Sequence, residues 1–353
     1  MHFYFQDKIT KEKFYNRNHI FSTDYLTAVE NNTLLVKYAG IFNKIDWSIE
    51  PTESLETLFA QRAQQLRSAY SYLMLYFSGG SDSTTILQIY LKNNIPIDEV
   101  IINRFSDVPD IRHNGTVALE YLKSIDYKGK VTVVDITYDS FKQFFNKQLA
   151  FHNGYFPGFL HSILRMRIDF FEEYNLIKSI NRPSNKAHIF GEASPIIHVK
   201  NKNYYVQLIG IRNMGSTTHH AGNIHFFTSE KFPKIHIKQS HIIVNYFKEH
   251  FPEETTILES NKKYNYIYKK LLRYNWDTRA DFSQKSTGMP GLLKGNEEAS
   301  VITDFYNSKD TRFYQDYYSA YLKEYLNTKL YKKYNNIWPV LTPGLNIPKY
   351  FIS

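Results

Sequence analysis

Between Ser78 and Ser83 the chain reads Ser-Gly-Gly-Ser-Asp-Ser, three hydroxyls and one carboxylate around two glycines. Glycines let a backbone approach an anion closely, and successive N–H groups can form a concave nest for it. Ser78, Ser81 and Ser83 add hydroxyl donors. Asp82 is out of place beside an anion unless it holds a Mg²⁺ that bridges to phosphate. The elements that must position these groups are readable on either side. The apolar run Leu73 to Phe77 predicts a strand, and Thr84 to Leu91, with Ile86, Leu87 and Tyr90 at helical spacing, predicts a helix. The turn therefore opens a helix, whose first N–H groups and positive dipole end favour an anion. A plain strand-to-helix turn capped by Asp82 or Ser83 accounts for parts of this stretch, but not for the glycines, hydroxyls and carboxylate together.

In that setting Ser-Gly-Gly-x-Asp-Ser resembles the pyrophosphate loop of the N-type ATP pyrophosphatases. That superfamily includes asparagine, GMP and NAD synthetases and several tRNA- and nucleobase-modifying enzymes. The resemblance implies ATP as ligand, with Ser78, Gly79, Gly80, Ser81, Asp82 and Ser83 around its phosphates and Asp82 on Mg²⁺. Further along, a second β-type run, Glu99 to Asn103, leads into Arg104-Phe105-Ser106-Asp107, read as a loop. A helix from about Gly115 and a third strand, Lys130 to Asp135, follow. Strands alternating with helices at this spacing predict a doubly wound, mostly parallel sheet, with ligands at the carboxyl ends of the strands. Asn103, Phe105 and Ser106 are then placed to line an adenine or ribose pocket, and the resembled family often has a Phe-Ser pair there.

The strand Ala187 to Phe190 meets Gly191-Glu192. Asparagine synthetases carry Gly-Glu-Gly-x-Asp-Glu at such a point, with carboxylates that help bind Mg²⁺ and pyrophosphate. Gly191 and Glu192 match, but Ser194-Pro195-Ile196 replaces the acidic pair. Glu192 is left to supply the second carboxylate, or the loop serves another substrate. Later, Lys269-Lys270-Leu271-Leu272-Arg273 puts basic residues at i and i+4, on one helical face. With Lys285 and Gly288-Met289 it is similar to the Lys-x-Leu-Leu-Arg and Lys-x-Gly-Phe segments of asparagine synthetase domains, one residue longer in the second. The resemblance, over roughly residues 53 to 292, implies that Lys285 and Arg273 offset charge on the transferring phosphate. It implies an adenine nucleotide alpha hydrolase-like fold.

The organisation expected is a small β appendage over residues 1–50, the ATP-binding α/β domain over 51–260, and a helical region with an extended tail over 261–353. In the appendage His2 to Phe5, Thr33 to Tyr38 and Asp46 to Glu50 read as short strands. Before the loop, Leu55, Leu58, Phe59 and Leu66 predict an amphipathic helix from about Glu53, with Thr52 in its cap region.

The 353 residues contain no cysteine, which excludes disulfides and thiolate metal sites. Within the resembled superfamily this removes sulfur transfer and cysteine-zinc chemistry. His2 follows Met1 where a glutaminase would begin with cysteine, so another nitrogen source is expected. No apolar run long enough for a membrane span and no secretory signal is present, so a cytoplasmic protein is expected. Net charge is +9. ATP alone does not require that total, and RNA or DNA is a partner it would suit. Its lysines stand in pairs rather than blocks, and AT-rich coding would also enrich lysine. His219, His220 and His225 lack a nearby acidic partner, which argues against metal, while His236 and His241 are expected on partly buried faces. The tyrosine-rich segment after residue 299 reads as packing with wet hydroxyls.

The function expected is an ATP-dependent synthetase. It adenylates a carboxylate or carbonyl oxygen, releases pyrophosphate and forms an amide or other C–N bond on a small-molecule or macromolecular acceptor. A nucleic-acid- or nucleobase-modifying enzyme is the first alternative, and a non-catalytic ATP-binding or virion-associated protein the second.

Overall fold

A computed structural model describes residues 2–11, 13–14, 34–39, 41–105, 115–136, 172, 180–191, 195–200, 202–207, 223–229, 231–253, 270–273 and 349–352. The chain divides into two compact units. One comprises Tyr38–Ser286 with both chain ends, Met1–His2 and Pro348–Ser353; the other comprises Phe3–Lys37 and Thr287–Ile347.

Most of the described part of the second unit is a three-stranded sheet in the order β2-β1-β3, from β1 (His2–Asp7), β2 (Lys13–Phe14) and β3 (Leu34–Ala39). Strands β1 and β2 are antiparallel, with Phe5 opposite Phe14. The connection starts with Asp7, whose carboxylate accepts from the Ile9 N–H at 2.7 Å. The two early strand expectations, from His2 and from Thr33, are met. Asp46 to Glu50 is not a strand but a turn. The Asp46 carboxylate accepts from both the N–H and the hydroxyl of Ser48, at 3.0 and 2.6 Å, and this local capture outcompetes extended pairing.

The first unit is built on a five-stranded sheet of β4 (Tyr72–Tyr76), β5 (Glu99–Phe105), β6 (Val131–Ile136), β7 (Lys186–Phe190) and β10 (Asn223–His225). Its order is β10-β7-β4-β5-β6, and all four pairings are parallel. The chain steps outward from β4 to β5 and β6, then returns to the other side of β4 for β7 and β10. The order thus reverses between β4 and β7, where α/β sheets open a crevice at their carboxyl edge. Arg104 and Phe105, expected in a loop, extend β5. The pairing runs through Arg104–Asp135 to Phe105–Ile136, and Arg104 forms a two-pronged ion pair with Asp135 across it.

Register sorts the side chains by face. Leu73, Leu75, Val100, Ile102, Ala187 and Ile189 share one face, and all are buried. Met74, Tyr76, Glu99, His188 and Phe190 share the other, where Tyr76 stacks on Phe190 at 4.4 Å and bonds His188 Nδ1 at 2.9 Å. Helix α1 (Leu55–Ala69) is capped by Ser54, whose hydroxyl accepts from the Thr57 N–H at 3.1 Å; Thr52 lies outside the cap. Its buried stripe of Leu55, Leu58, Phe59, Ala63 and Leu66 meets α2 (Ser81–Lys92) and α4 (Lys234–His250). Helix α3 (Thr116–Ser124) brings Tyr121 to Phe77.

The amino-terminal edge of this sheet carries a sealed charge cluster. Glu99, fully buried, accepts from Arg182 Nε and Nη2 at 2.7 and 3.1 Å, from Thr132 at 2.5 Å and from Tyr72 at 3.0 Å. Arg182 also bridges to Glu172 at 2.5 Å. Burial alone would raise the Glu99 carboxyl, but the hydrogen bonds from Arg182 and Thr132 outweigh it and hold the group at about 2.

A separate three-stranded sheet, β11-β9-β8, joins the hairpin of β8 (Ile196–Lys200) and β9 (Asn203–Gln207) to β11 (Lys349–Phe351), all antiparallel. Its Tyr350 stacks on Trp47 at 4.8 Å, and His236 meets the same indole edge-on. His236 and His241 are both buried on α4, and burial pushes the His236 imidazole down to about 3. No described helix is long and apolar enough to cross a membrane.

Candidate nucleotide site

The loop from Ser78 to Gly80 leaves the carboxyl end of β4 at the point where strand order reverses. Its shape is set by its own side chains. Ser83 Oγ donates to the Gly80 carbonyl at 3.1 Å and accepts from the Ser78 N–H at 3.3 Å, so the serine beyond the turn ties the two ends together. Ser78 Oγ accepts from the Gly80 N–H at 3.3 Å. Gly79 has φ +70°, and a Cβ there would stand 3.0 Å from the Ala118 backbone of α3. Only glycine gives this turn without strain and lets α3 pack against it.

Gly80 is the N-cap of α2 in extended conformation, and no side chain caps the helix. The N–H groups of the first turn, Ser81 to Ser83, have no carbonyl four residues back within the helix to bind. Ser81 Oγ and Thr84 Oγ1 are buried with no hydrogen-bond partner among the described residues. An uncapped helix start presents unpaired N–H groups and the positive end of the dipole, which favour an anion.

Asp82 stands in this first turn with its side chain about a quarter exposed. Gly191, directly after β7, lies against its back: a Cβ on Gly191 would come within 2.9 Å of Asp82 Cβ and 3.0 Å of the Ser83 nitrogen. Glycine at 191 is thus a close-approach position that brings the end of β7 onto the first turn of α2. In front, Arg273 donates to Asp82 Oδ1 from Nε at 2.6 Å, and Nη2 lies 2.5 Å from the same oxygen. The guanidinium is buried at 3% exposure and lies 4.1 Å above the Phe227 ring, just beyond β10. Residues 270–272 are helical, with Lys270 exposed and Leu272 buried.

Among the candidate residues, the structure brings together Ser78, Gly79, Gly80, Ser81, Asp82, Ser83, Gly191 and Arg273. Asn103 sits opposite Val134 near the carboxyl end of β5, and Phe105 ends that strand. Ser106, Glu192 and Lys285 lie outside the described residues, as do His219 and His220. Phe227 was not singled out by the sequence reading. Its only signal there is its place after the short run Asn223 to His225, in a pair of phenylalanines.

The donor set suits a phosphate chain and Mg²⁺. N–H groups and hydroxyls of a helix start take phosphate oxygens, and Mg²⁺ needs only one or two carboxylates beside phosphate and water. Among the described residues no group of three or more histidines or carboxylates forms a protein-only metal cage. No protein-family model matches the chain, and no curated protein matches it.

Proposed function

We propose that the protein is an ATP-dependent synthetase resembling the N-type ATP pyrophosphatases, most like the synthetase domain of asparagine synthetases. The observation that carries this reading is the glycine loop Ser78 to Gly80, which opens α2 at the strand-order switch with Asp82 in the first helical turn. The same order of features along the chain, from phosphate loop to Gly191 to Arg273, supports it.

In this reading an acceptor carboxylate or carbonyl oxygen attacks the α-phosphorus of ATP. The P–O bond to the β-phosphate breaks, pyrophosphate leaves, and AMP stays on the acceptor. Ammonia or an amine then displaces AMP to give the C–N bond. The chain's own residues chiefly position groups and neutralise charge. Backbone N–H groups at Ser81 to Ser83 hold the β- and γ-phosphates, and Ser78 and Ser83 keep the loop in shape. Asp82 is the carboxylate for Mg²⁺, which when bound offsets phosphate charge. Arg273, with Lys285, faces charge on the transferring group. Asn103, Phe105 and Ser106 are assigned to the base or ribose, and Glu192 is the second candidate carboxylate.

The test is release of AMP and pyrophosphate from ATP and Mg²⁺, with amino acids, nucleobases and RNA as acceptors in turn. Asp82→Ala should cut it by about a hundredfold or more, since losing one such group costs on the order of 3 kcal/mol in the barrier. Full activity in that variant would defeat the assignment. The net charge of +9 favours a second reading, amination of a nucleic-acid base. Acceptor-dependent release with RNA and not with a free amino acid would select it.

A further inference from the structure

We propose that the Asp82–Arg273 pair is a latch on the phosphate loop, which a divalent cation and a phosphate chain open together. This rests on the reading of the loop as an ATP site. Arg273 places two nitrogens, Nε and Nη2, on Asp82 Oδ1, and among the described residues no hydrogen bond reaches Oδ2. The carboxylate thus keeps one face for a cation, but with a guanidinium beside it. A cation arriving alone meets that positive charge in a partly buried setting, where like-charge repulsion is poorly screened. A phosphate chain arriving alone meets the Asp82 carboxylate. When both arrive, each charge has an opposite partner: Asp82 takes the cation, and Arg273 exchanges Oδ1 for a phosphate oxygen.

The surroundings decide which partner moves. Gly191 comes close behind the Cβ and backbone of Asp82, an approach that a side chain at 191 would block, so the first turn of α2 that carries Asp82 is held against the end of β7. Arg273 instead lies on the flat face of Phe227 at 4.1 Å, across which a guanidinium can slide while keeping its cation–π contact. Phe227 is a positioning residue in this scheme.

Manganese binding to the nucleotide-free full chain, followed by electron paramagnetic resonance, reads the latch directly. Arg273→Gln should bind Mn²⁺ roughly tenfold tighter than the unaltered protein, the size of effect one adjacent charge has on an ionic equilibrium. Asp82→Asn should bind more weakly than either. Equal Mn²⁺ affinity in the unaltered protein and a folded Arg273→Gln variant overturns the proposal. Should that variant fail to fold, the Arg273 Nε–H resonance of the unaltered protein gives the answer. It should shift when Mg²⁺ and α,β-methylene ATP are added together and stay in place with either alone. Calorimetric binding of the nucleotide with an unmoved Arg273 resonance defeats the latch and leaves the ATP reading standing. No nucleotide binding defeats the ATP reading and the latch with it.

Discussion

At the amino-terminal edge of the five-stranded sheet Glu99 accepts from Arg182, Thr132 and Tyr72, and both ions are sealed from solvent. At the carboxyl edge Asp82 meets Arg273 through one oxygen, with its side chain about a quarter exposed. Both are arginine–carboxylate pairs in the same unit, yet their settings differ in what they allow. Glu99 uses both oxygens, and its partners come from the two neighbouring strands, β4 and β6, and the segment leading into β7. Removing Arg182 takes a buried charge from its buried partner. Asp82 sits on a glycine turn beside orphan hydroxyls, with one oxygen uncommitted among the described residues. The first arrangement fastens the sheet; the second can trade partners.

The contrast is broken most severely at the sealed end. Arg182→Ala should destabilise the protein by about 3–5 kcal/mol, the cost of breaking a buried ion pair, with the half-exposed Lys130, 3.3 Å from Glu99 Oε1, left as the carboxylate's remaining cation. Urea unfolding checks it, and a loss below about 1 kcal/mol would mean that Glu99 finds water or another cation. The pH dependence has a definite sign. The folded-state carboxyl of Glu99 lies at about 2, below its ordinary 4.5. Its stabilisation is therefore complete above about 4.5 and fades as pH falls towards 2. A Glu99→Gln variant should lose stability less steeply between those values than the unaltered protein, measured as unfolding midpoint against pH.

At the open end the effect on folding is smaller and that on binding larger. Gly79→Ala forces a side chain into left-handed backbone against Ala118, costing about 1–3 kcal/mol of stability. ATP binding should fall with it, while Arg182→Ala should spare binding wherever the chain remains folded. The smallest effect belongs to Arg104–Asp135, a pair more than a third exposed on both sides. Asp135→Asn should change stability by less than about 1 kcal/mol, and added salt should shrink even that.

How far the sequence exposes these regions follows from how local their causes are. The strand, glycine turn and helix around Ser78 to Ser83 are contiguous, and their periodicity and residue types announce them. The parallel strands at Glu99, Lys130 and Ala187 show as β-branched and apolar runs for the same reason. Glu99 read only as the start of a strand, because its arginine lies 83 residues away. Arg273 stood out as basic, but its burial on Phe227 and pairing with Asp82 depend on the fold bringing β10 and the 270–273 turn to the loop. Two missed details are local competitions that patterns average over: Ser48 diverts Asp46 from extended pairing, and Ser54 rather than Thr52 caps α1. The extension of β5 to Arg104 instead goes with its pairing to Asp135, 31 residues away on β6.

The central claim is that the Ser78–Ser83 loop holds the phosphates of ATP. Isothermal titration of the full chain with α,β-methylene ATP and Mg²⁺ tests it most directly. The account predicts saturable one-to-one binding, competed by inorganic pyrophosphate and lost in Gly79→Ala. Absence of binding to the folded protein, or binding that Gly79→Ala leaves intact, would contradict it.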